Sequence, residues 1–241
     1  MKCTLVVIPT YNEAENIKTL VERVLALSVS GHEIGVLVVD DGSPDGTAEI
    51  IKDLNSTRVH LLERTAKNGL GKAYLAGFAW ALERDYQVIV EMDGDGSHLP
   101  EQLDRLLNAL NQGVDLVIGA RWIPGGTVVN WSIYRQWLSR LGNGYARLAL
   151  GFQLHDATAG FRAFTRQALL DLDLDSVDSN GYCFQIDLAW RAWHQGLKVL
   201  EVPITFVERT AGISKMSRAI VLEAIWQITK WGLLRVKDKR R

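Results

Sequence analysis

The chain has 241 residues, and 27 Lys and Arg against 28 Asp and Glu give it a formal net charge of −1 at pH 7. This balance excludes a protein that binds nucleic acid through overall basic charge. The hydrophobic fraction of 47% excludes a disordered chain, and a chain of this length can bury a full core. Cys3 and Cys183 are too few for a disulfide framework, so we expect core thiols in a reducing compartment.

The first residues follow a strand pattern at once and show neither the basic leader nor the long apolar region of a signal peptide. No uninterrupted apolar stretch of about 18 residues occurs, so we expect no segment that spans a bilayer unaided. These features predict a protein that is made in the cytoplasm and stays there.

In the first half of the chain, short apolar runs alternate with segments of helical pattern. Continuous runs rich in Val, Ile and Leu predict strands covered on both faces, at Leu5–Ile8, Ile34–Val39, Val88–Val90 and Leu116–Ile118, with a weaker strand at Val59–Leu62. Helices are predicted from Glu13 to Leu27 behind an Asn12–Glu15 capping box, through Ile50 and Leu54 after a Ser43-Pro44-Asp45 cap, over Gly71–Arg84 and from Pro100 to Leu110. This alternation predicts βαβ units and a doubly wound α/β sheet.

After Arg121 the alternation stops. Helices are predicted at Tyr134–Leu150 and Phe184–His194, an irregular stretch at Asp156–Phe164, one strand at Leu197–Val207 and a flexible basic loop at Thr210–Met216. No repeat or low-complexity linker separates the two halves, so we expect residues 1–216 to form one domain. Residues 217–241 are expected to add an amphipathic helix with a basic tail to the same unit.

Polar side chains are concentrated where three of the predicted strands end, which is where open parallel sheets bind ligands. Residues 9–13 follow the first strand, 40–43 the second and 93–98 the fourth. Asp93 and Asp95, two apart at an extended strand end, direct their carboxylates to the same side, and the glycines beside them leave the backbone open. This pair predicts an Mg²⁺ or Mn²⁺ ion that bridges a nucleoside diphosphate.

Several short motifs in this order resemble one known family. They are Pro9-Thr10-Tyr11-Asn12-Glu13, Val38 to Thr47, Lys67 to Ala73, Asp93-Gly94-Asp95, Gly119-Ala120-Arg121, Asp156 to Arg162 and Ser214-Lys215. Together they resemble the inverting family-2 glycosyltransferases with the GT-A fold, and among these the polyprenol-phosphate (dolichol-phosphate) mannose synthases. The resemblance implies a GT-A catalytic domain over residues 1–216, with a mostly parallel, Rossmann-like sheet and helices on both faces. It also implies transfer of mannose from GDP-mannose to a polyprenyl monophosphate lipid, with inversion.

The resemblance also assigns roles to residues at matching positions. Residues expected to hold the nucleoside are Pro9, Tyr11, Glu13, Val39 and Asp40. Metal and diphosphate positions are matched by Asp93, Gly94 and Asp95, with Ser97 as a third metal-site residue. Cationic positions around the donor diphosphate and the acceptor phosphate are Arg121, Arg209 and Lys215. The clamp for the lipid phosphate consists of Arg135 and Ser139 together with Arg121. Relatives often carry alanine in place of Gly94, a departure that we expect to change little.

Elementary chemistry agrees with these roles. Arg135 and Ser139 are four apart on a predicted helix and share one face, which suits a phosphate. A phosphate oxygen is already anionic near neutral pH, so the nucleophile needs no dedicated base, and we expect Asp156 to be structural or orienting. Catalysis is expected from placement of that oxygen and from stabilisation of the departing GDP. The catalytic set is therefore Asp95 with its metal, Arg121, Arg209 and Lys215.

The carboxyl-terminal segment has two interpretations. Apolar residues recur at helical spacing and precede a basic tail over 235–241: Ile220, Val221, Ala224, Ile225, Ile228 and Trp231. This face either lies on a membrane with anionic lipids or packs on its own domain. Four aromatic residues flank the predicted helix that carries Arg135 and Ser139, and they too could either face a membrane or be buried in the domain: Trp122, Trp131, Tyr134 and Trp137. The lipid substrate favours a peripheral position on the cytoplasmic face of the membrane, and a membrane-protein partner stays possible.

Three other functions remain open from the sequence. The same fold could transfer a sugar from UDP-glucose or another nucleotide sugar to the same lipid, because no residue fixes guanine over uracil. Val88–Ser97 imitates the nucleophile strand of a haloacid-dehalogenase-like phosphatase, although we find no downstream acidic pair near a lysine. The third is a catalytically silent nucleotide-binding partner of a membrane complex, against which the intact acidic pair and the basic loop argue.

Overall fold

The computed structural model describes residues 1–177, 179, 182–208 and 224–233. Its strands are β1 (Lys2–Thr10), β2 (His32–Asp40), β3 (Val59–Glu63), β4 (Val88–Glu91), β5 (Leu116–Ala120), β6 (Thr127–Val129), β7 (Arg162–Thr165), β8 (Val199–Pro203) and β9 (Thr205–Val207). Its α-helices are α1 (Ile17–Leu25), α2 (Thr47–Asp53), α3 (Leu70–Leu82), α4 (Leu103–Leu110), α5 (Ile133–Leu150), α6 (Arg166–Asp171) and α7 (Tyr182–His194). Short 3₁₀ helices cover Pro100–Gln102 and Leu174–Ser176, and residues 224–233 form a further helix, named the C-terminal helix below.

Seven strands form one sheet in the order β3-β2-β1-β4-β7-β5-β8, while β6 and β9 form a small parallel pair. β7 runs antiparallel to β4 and β5, and the other neighbours in the large sheet are parallel. The strand order changes direction at β1: β2 and β3 lie on one side of it, and β4 lies on the other. Ligands of such sheets bind beyond the carboxyl ends of the strands at this point. The predicted α/β class with a mostly parallel sheet is confirmed.

Successive residues of β1 contribute to two different cores. Leu5 and Val7 pack with α3, α5 and α7, whereas Val6 and Ile8 pack with α1 and α4 on the other face. Because side chains alternate along a strand, this arrangement buries both faces and explains why the apolar runs are continuous in the sequence. Burial of these two layers fixes the carboxyl ends of β1, β2 and β4 next to one another.

Three of the predicted elements are wrong, each for a local reason. The stretch expected to be irregular contains β7, because Arg162 interrupts its apolar pattern. The single strand expected over Leu197–Val207 divides at Pro203, which lacks the N–H that a ladder requires, so β8 and β9 belong to different sheets. α1 begins at Ile17, and Asn12 lies outside it with φ of 60°, so the predicted capping box does not form.

The C-terminal helix packs on the domain through part of the face predicted to be apolar. Ile228 and Trp231 are buried in the core, and Trp231 stacks on Trp190 of α7 with 5.7 Å between ring centroids. This packing favours the second of the two interpretations for those residues. The rest of 217–241, and the loop predicted at 210–216, lie outside the described residues. In the part of the chain that the structure describes, no helix is both long and apolar enough to cross a membrane.

Candidate active site

The carboxyl ends of β1, β2 and β4 meet at one edge of the sheet, and the acidic pair lies there. Asp93 and Asp95 follow β4 in the turn that leads to the 3₁₀ helix before α4. Asp93 accepts a hydrogen bond from the Tyr74 hydroxyl on α3 at 3.2 Å. Asp95 accepts one from the Ser97 N–H at 3.0 Å, and the Ser97 side chain is buried. The backbone N–H of Ser97 therefore orients the Asp95 carboxylate.

A buried histidine fixes the backbone of the first acid. His98 is 1% exposed, its ring contacts those of Phe161 and Phe206, and its Nδ1 accepts the Asp93 N–H at 3.1 Å. Burial lowers the pKa of His98, which favours the neutral ring that this acceptor role requires. Burial raises the pKa of Asp93, and the charge of Asp95 adds to the rise. Asp93 and Asp95 repel each other when both are ionised, which favours a proton on one of them. A bound cation would neutralise the same charge in place of that proton.

The acidic pair fits a hard divalent cation without enclosing it. The Asp93 side chain is 29% exposed and Asp95 is also partly exposed. Carboxylate oxygens are the ligands that Mg²⁺ and Mn²⁺ prefer. Among the described residues, no cluster of three or more His, Cys, Asp or Glu side chains could hold a metal ion. The remaining ligands would therefore come from a diphosphate and water, as is usual for Mg²⁺ at phosphate sites.

The glycine between the two acids is packed more tightly than its sequence position suggests. A Cβ on Gly94 would lie 3.0 Å from the carbonyl oxygen of Pro9 and 3.2 Å from Cγ2 of Thr10. An alanine at this position would therefore push the ends of β1 and β4 apart by a few tenths of an ångström. The geometry does not support our expectation that glycine and alanine are nearly equivalent here.

The residues predicted to hold the nucleoside lie at and just after the ends of β1 and β2, but Asp40 has another task. Its carboxylate is 1% exposed and accepts hydrogen bonds from the Thr10 hydroxyl at 2.9 Å and from the Ser43 hydroxyl and N–H at 2.6 and 2.8 Å. These bonds shape the turn after β2. Tyr11 and Glu13 are the partly exposed members of the predicted set. The full set is Pro9, Tyr11, Glu13, Val39 and Asp40.

Asp41, which is not in the predicted set, is a better candidate for this end of the site than Asp40. Its carboxylate is 5% exposed, and its Oδ1 lies 3.0 Å from Nη1 of Arg64 in an ion pair that lacks hydrogen-bond geometry. Burial raises the pKa of Asp41, and the charges of Arg64 and Lys67 oppose the rise. Lys67 also lies 3.9 Å from the centroid of the Tyr11 ring. The Asp-Asp doublet is the sequence signal that could have drawn attention to Asp41.

Arg121 follows β5 and is held by Asp156 in a buried bidentate pair. Its Nε and Nη2 donate to the two carboxylate oxygens at 2.8 and 2.7 Å, and its backbone N–H donates to Oδ2 at 2.8 Å. The two side chains are 6% and 0% exposed. The Arg121 guanidinium also lies 5.3 Å from the Trp131 ring and close enough to Asp93 to oppose its raised pKa. Asp156 therefore orients a cation beside the acidic pair.

Asn143 on α5 is a candidate that the sequence patterns missed. It is 2% exposed, and its Nδ2 donates to Thr158 Oγ1 at 3.0 Å and to Asp156 Oδ1 at 3.3 Å. Its Oδ1 accepts the Thr158 N–H at 3.3 Å. These bonds attach α5 to the loop that holds Arg121. No motif marks Asn143, because its partners are 13 and 15 residues away in the chain.

Two of the three residues predicted to clamp the lipid phosphate, Arg135 and Ser139, lie on α5 and have partners within the protein. Arg135 donates to Glu208 at 2.6 Å, and its guanidinium lies 4.0 Å from the Trp131 ring. Ser139 accepts a hydrogen bond from the Trp122 indole at 3.1 Å and retains its own proton for donation. A lipid phosphate would therefore compete with Glu208 for Arg135. The other predicted cations lie outside the described residues: Arg209 and Lys215.

A third acid, Glu91, is buried beneath the pair. Glu91 of β4 is fully buried, and neither carboxylate oxygen has a hydrogen-bond partner in the described structure. Burial raises the pKa of Glu91 to about 8, although the charge of Arg162 opposes the rise. The sheet below the site therefore buries two ionisable side chains, Glu91 and Arg162, where apolar residues are usual.

Comparison with known proteins identifies the family. The model described as "Glycosyl transferase family 2" matches residues 5–172. The polyprenol monophosphomannose synthase of Mycolicibacterium smegmatis is 54% identical over 241 residues, which cover 99% of this chain and 90% of that protein. The undecaprenyl-phosphate mannosyltransferase of Micrococcus luteus is 51% identical over 231 residues, which cover 95% of this chain and 93% of that protein.

The fold is similar to that of solved glycosyltransferases. Glucosyl-3-phosphoglycerate synthase from Mycobacterium tuberculosis, in complex with Mn²⁺, UDP-glucose and phosphoglyceric acid, matches with a TM-score of 0.68 at 18% identity, over 97% of this chain and 79% of that one. This likeness confirms the predicted GT-A fold. The family match favours a glycosyltransferase over the haloacid-dehalogenase-like alternative. The acidic pair after β4, the GT-A sheet and the match over 5–172 lead to one conclusion: the chain belongs to glycosyl transferase family 2.

Proposed function

We propose that the chain transfers mannose from GDP-mannose to a polyprenyl monophosphate, with inversion at the anomeric carbon. The observation that carries this proposal is that Asp93, Asp95 and Arg121 lie near one another at one edge of the sheet. Asp156 holds Arg121 there, and the charge of Arg121 opposes the rise in the pKa of Asp93. The acids suit the metal-bound diphosphate of a donor, and the arginine suits a phosphate oxygen. Two relatives named for mannose transfer to polyprenol or undecaprenyl phosphate support the sugar and the lipid.

In the proposed reaction, an oxygen of the lipid phosphate attacks C1 of mannose from the side opposite the diphosphate. The new O–C1 bond forms as the bond between C1 and the diphosphate oxygen breaks, and GDP leaves with the electron pair. Because the attacking oxygen is already anionic, no residue has to accept a proton. A divalent cation bound at Asp93 and Asp95 would neutralise charge on the diphosphate. Arg121, Arg209 and Lys215 are proposed to add positive charge around both phosphate groups.

We further propose that the base of the donor is guanine and that Asp41 contributes to its selection. A carboxylate can accept two adjacent hydrogen bonds, from N1–H and the exocyclic amino group of guanine. Uracil offers a single N–H between two carbonyls, which would repel the same carboxylate. The buried Asp41 carboxylate, whose ion pair with Arg64 leaves its Oδ1 without a hydrogen bond, supports this placement of the base. Lys67, which lies over the Tyr11 ring and close enough to oppose the rise in the pKa of Asp41, connects the two residues.

A panel of four donors, each with polyprenyl phosphate, tests the donor and separates its base from its sugar. It contains GDP-mannose, GDP-glucose, UDP-mannose and UDP-glucose, and transfer is measured as labelled sugar in the organic phase. We expect GDP-mannose to have the highest kcat/KM, and the D41N variant to lose more activity with GDP donors than with UDP donors. A preference for UDP-glucose in the wild type would replace this proposal with the glucosyltransferase alternative.

We also propose that the protein is peripheral on the cytoplasmic face of a membrane and contacts it through α5. One face of this helix, opposite its buried side, exposes a row of apolar residues: Tyr134, Trp137, Leu141, Tyr145 and Leu148. α5 contains three arginines and no acid, which suits an anionic surface. The C-terminal helix joins α5 through hydroxyls of Tyr145 and Thr229 that are 2.6 Å apart, and it exposes Ile225 and Trp226. Exposed aromatic and aliphatic residues beside basic ones are typical of interfacial helices.

Sedimentation with vesicles that contain about one third anionic lipid tests this membrane contact. We expect the wild type to bind, and the double variant L141E/L148E to lose at least about tenfold in affinity. L170E is a matched control, because Leu170 of α6 is also exposed but lies outside the row on α5. Equal binding by the wild type and the double variant would contradict the proposed contact.

A further inference from the structure

A buried arginine lies beneath the acidic pair and has no predicted role. Arg162 begins β7 and stands opposite Glu91 of β4 in the sheet register. Both side chains are 0% exposed, and their closest charged atoms are 3.9 Å apart, which is too far for a hydrogen bond. Burying a guanidinium is costly unless its donors are satisfied, so other groups must hold this side chain.

Three backbone carbonyls hold the Arg162 guanidinium. Nη2 donates to Ala157 at 2.6 Å and Nε to Ala159 at 2.8 Å. Nη1 donates to the carbonyl of Gln185 in α7 at 2.8 Å. Two of these carbonyls belong to residues 156–160, so Arg162 fixes that loop to α7 through the core of the sheet.

The loop over 156–160 touches both halves of the site. Asp156 holds Arg121 in the bidentate pair, and Thr158 Oγ1 accepts a further hydrogen bond from Arg121 at 2.9 Å. At the other end, a Cβ on Gly160 would lie 3.5 Å from both carboxylate oxygens of Asp93. A shift of this loop would therefore move Arg121 and change the space beside Asp93 together.

We propose that Arg162 is a positioning residue for sugar transfer, which sets the loop over 156–160 so that Arg121 and Asp93 keep a fixed relation. The activity readout of this proposal rests on the proposed mannosyltransferase function. Arg162 itself contacts carbonyls and no reacting atom. Misplacement of a binding group by about 1 Å can reduce a rate about 100-fold, so a loop with this many contacts is sensitive to its support.

Four variants separate positioning from simple loss of stability. R162Q removes the three carbonyl bonds, and R162K retains a cation that can reach fewer of them. R162Q/E91Q replaces both buried ionisable side chains with amides, so that no acid stays in the core without its arginine. R166Q is the matched control, because Arg166, which begins α6 directly after β7, donates to the carbonyls of Leu82 and Arg84, both at 2.6 Å, away from the site.

We expect R162Q to lower kcat about 10- to 100-fold while the KM for the donor changes less than about threefold. R162K should recover part of this loss. R162Q/E91Q should regain stability in urea unfolding and keep the low kcat, whereas R166Q should lose stability and keep its kcat within about twofold. A double variant with wild-type stability and wild-type kcat would overturn the proposal.

A spectroscopic readout tests the same idea without turnover. The ¹⁵N-labelled Nε–H of Arg121, assigned with R121K, should give a slowly exchanging NMR signal in the wild type because Asp156 holds it. We expect R162Q/E91Q to shift or broaden this signal and R166Q to leave it unchanged. An unchanged Arg121 signal in the double variant would overturn the proposal. If the wild type transferred no sugar, the proposed function would fail, while this signal would still decide the role of Arg162.

Discussion

Arg135 and Glu208 form an ion pair of 2.6 Å, so the arginine predicted to bind the lipid phosphate is already matched with a carboxylate. The pair joins α5 to the residue that follows β9, and both side chains are partly exposed. A phosphate that enters this site has to take Arg135 away from Glu208. In the proposed reaction, Glu208 would therefore lower the affinity for the acceptor while it keeps Arg135 ordered.

This competition predicts opposite effects for the two partners. R135Q should raise the KM for polyprenyl phosphate about tenfold or more, because a charged hydrogen-bond donor to the phosphate is lost. E208Q should lower the same KM by a few-fold, because Arg135 is freed. The KM for the nucleotide sugar should stay within about twofold in both variants. A change confined to the KM of the donor would show that Arg135 does not serve the lipid phosphate.

The metal assignment predicts a severe loss when one acid is neutralised. D95N should reduce kcat at least about 100-fold. The departing diphosphate would lose the metal ion that neutralises its charge. Binding of Mn²⁺ in the presence of GDP, followed by electron paramagnetic resonance, should weaken in parallel. D104N, at an exposed acid on α4, is the matched control and should bind Mn²⁺ normally. Unimpaired, metal-dependent transfer by D95N would remove Asp95 from the metal site.

The tight packing at Gly94 predicts a loss of activity on adding one methyl group. In G94A, the new Cβ would press on Pro9 and separate the ends of β1 and β4, so we expect kcat to fall several-fold. G142A is the matched control: Gly142 on α5 has no neighbour within 4 Å of a new Cβ, and alanine should stabilise the helix by about 0.5–1 kcal/mol. Wild-type kinetics in G94A would show that the strand ends relax without consequence.

A buried histidine at the other edge of the sheet predicts a dependence of stability on pH. The Asn111 oxygen accepts from Lys2 at 2.8 Å, so its amide donates to His32 Nε2 at 3.1 Å, and the neutral ring donates from Nδ1 to the Thr4 hydroxyl at 2.8 Å. Burial lowers the pKa of His32 below its usual value of 6.5. The unfolded chain therefore binds the proton more readily, and the free energy of unfolding should fall as the pH drops below 6.5.

Urea unfolding at pH 7.5 and pH 5.5 (about one unit on either side of the usual histidine pKa) measures this effect. The wild type should lose more stability between these values than H32Q, whose slope lacks the contribution of this group. An equal slope in H32Q and the wild type would contradict the assignment of the pH dependence to His32.

The sequence predicts the parallel core of the fold because each of its central strands is a continuous apolar run. It also predicts the acidic pair, since Asp93 and Asp95 stand directly after such a run. It does not predict β7, which is short, runs antiparallel and begins with a buried arginine. Nor does it predict the division at Pro203, where the chain leaves one sheet for another.

The supporting residues of the site are harder to predict than the charged ones. Arg162 and Asn143 act through carbonyls and side chains that only the folded chain brings near, so no local pattern marks them. Asp40 and Asp41 are adjacent and chemically identical, yet one closes a turn and the other forms an ion pair with Arg64. Successive side chains at the end of a strand point to opposite sides, and this alternation gives the two acids different partners. A shift of the register by one residue would exchange their roles.

The measurement that tests the central claim most directly is a transfer assay with the purified protein, labelled GDP-mannose, polyprenyl phosphate in anionic vesicles, and Mg²⁺ or Mn²⁺. We expect a mannosyl lipid that forms only when the divalent ion and the lipid phosphate are both present, and proton NMR of this product should show the β-anomer. Formation of the α-anomer, or no mannosyl lipid under these conditions, would contradict the account.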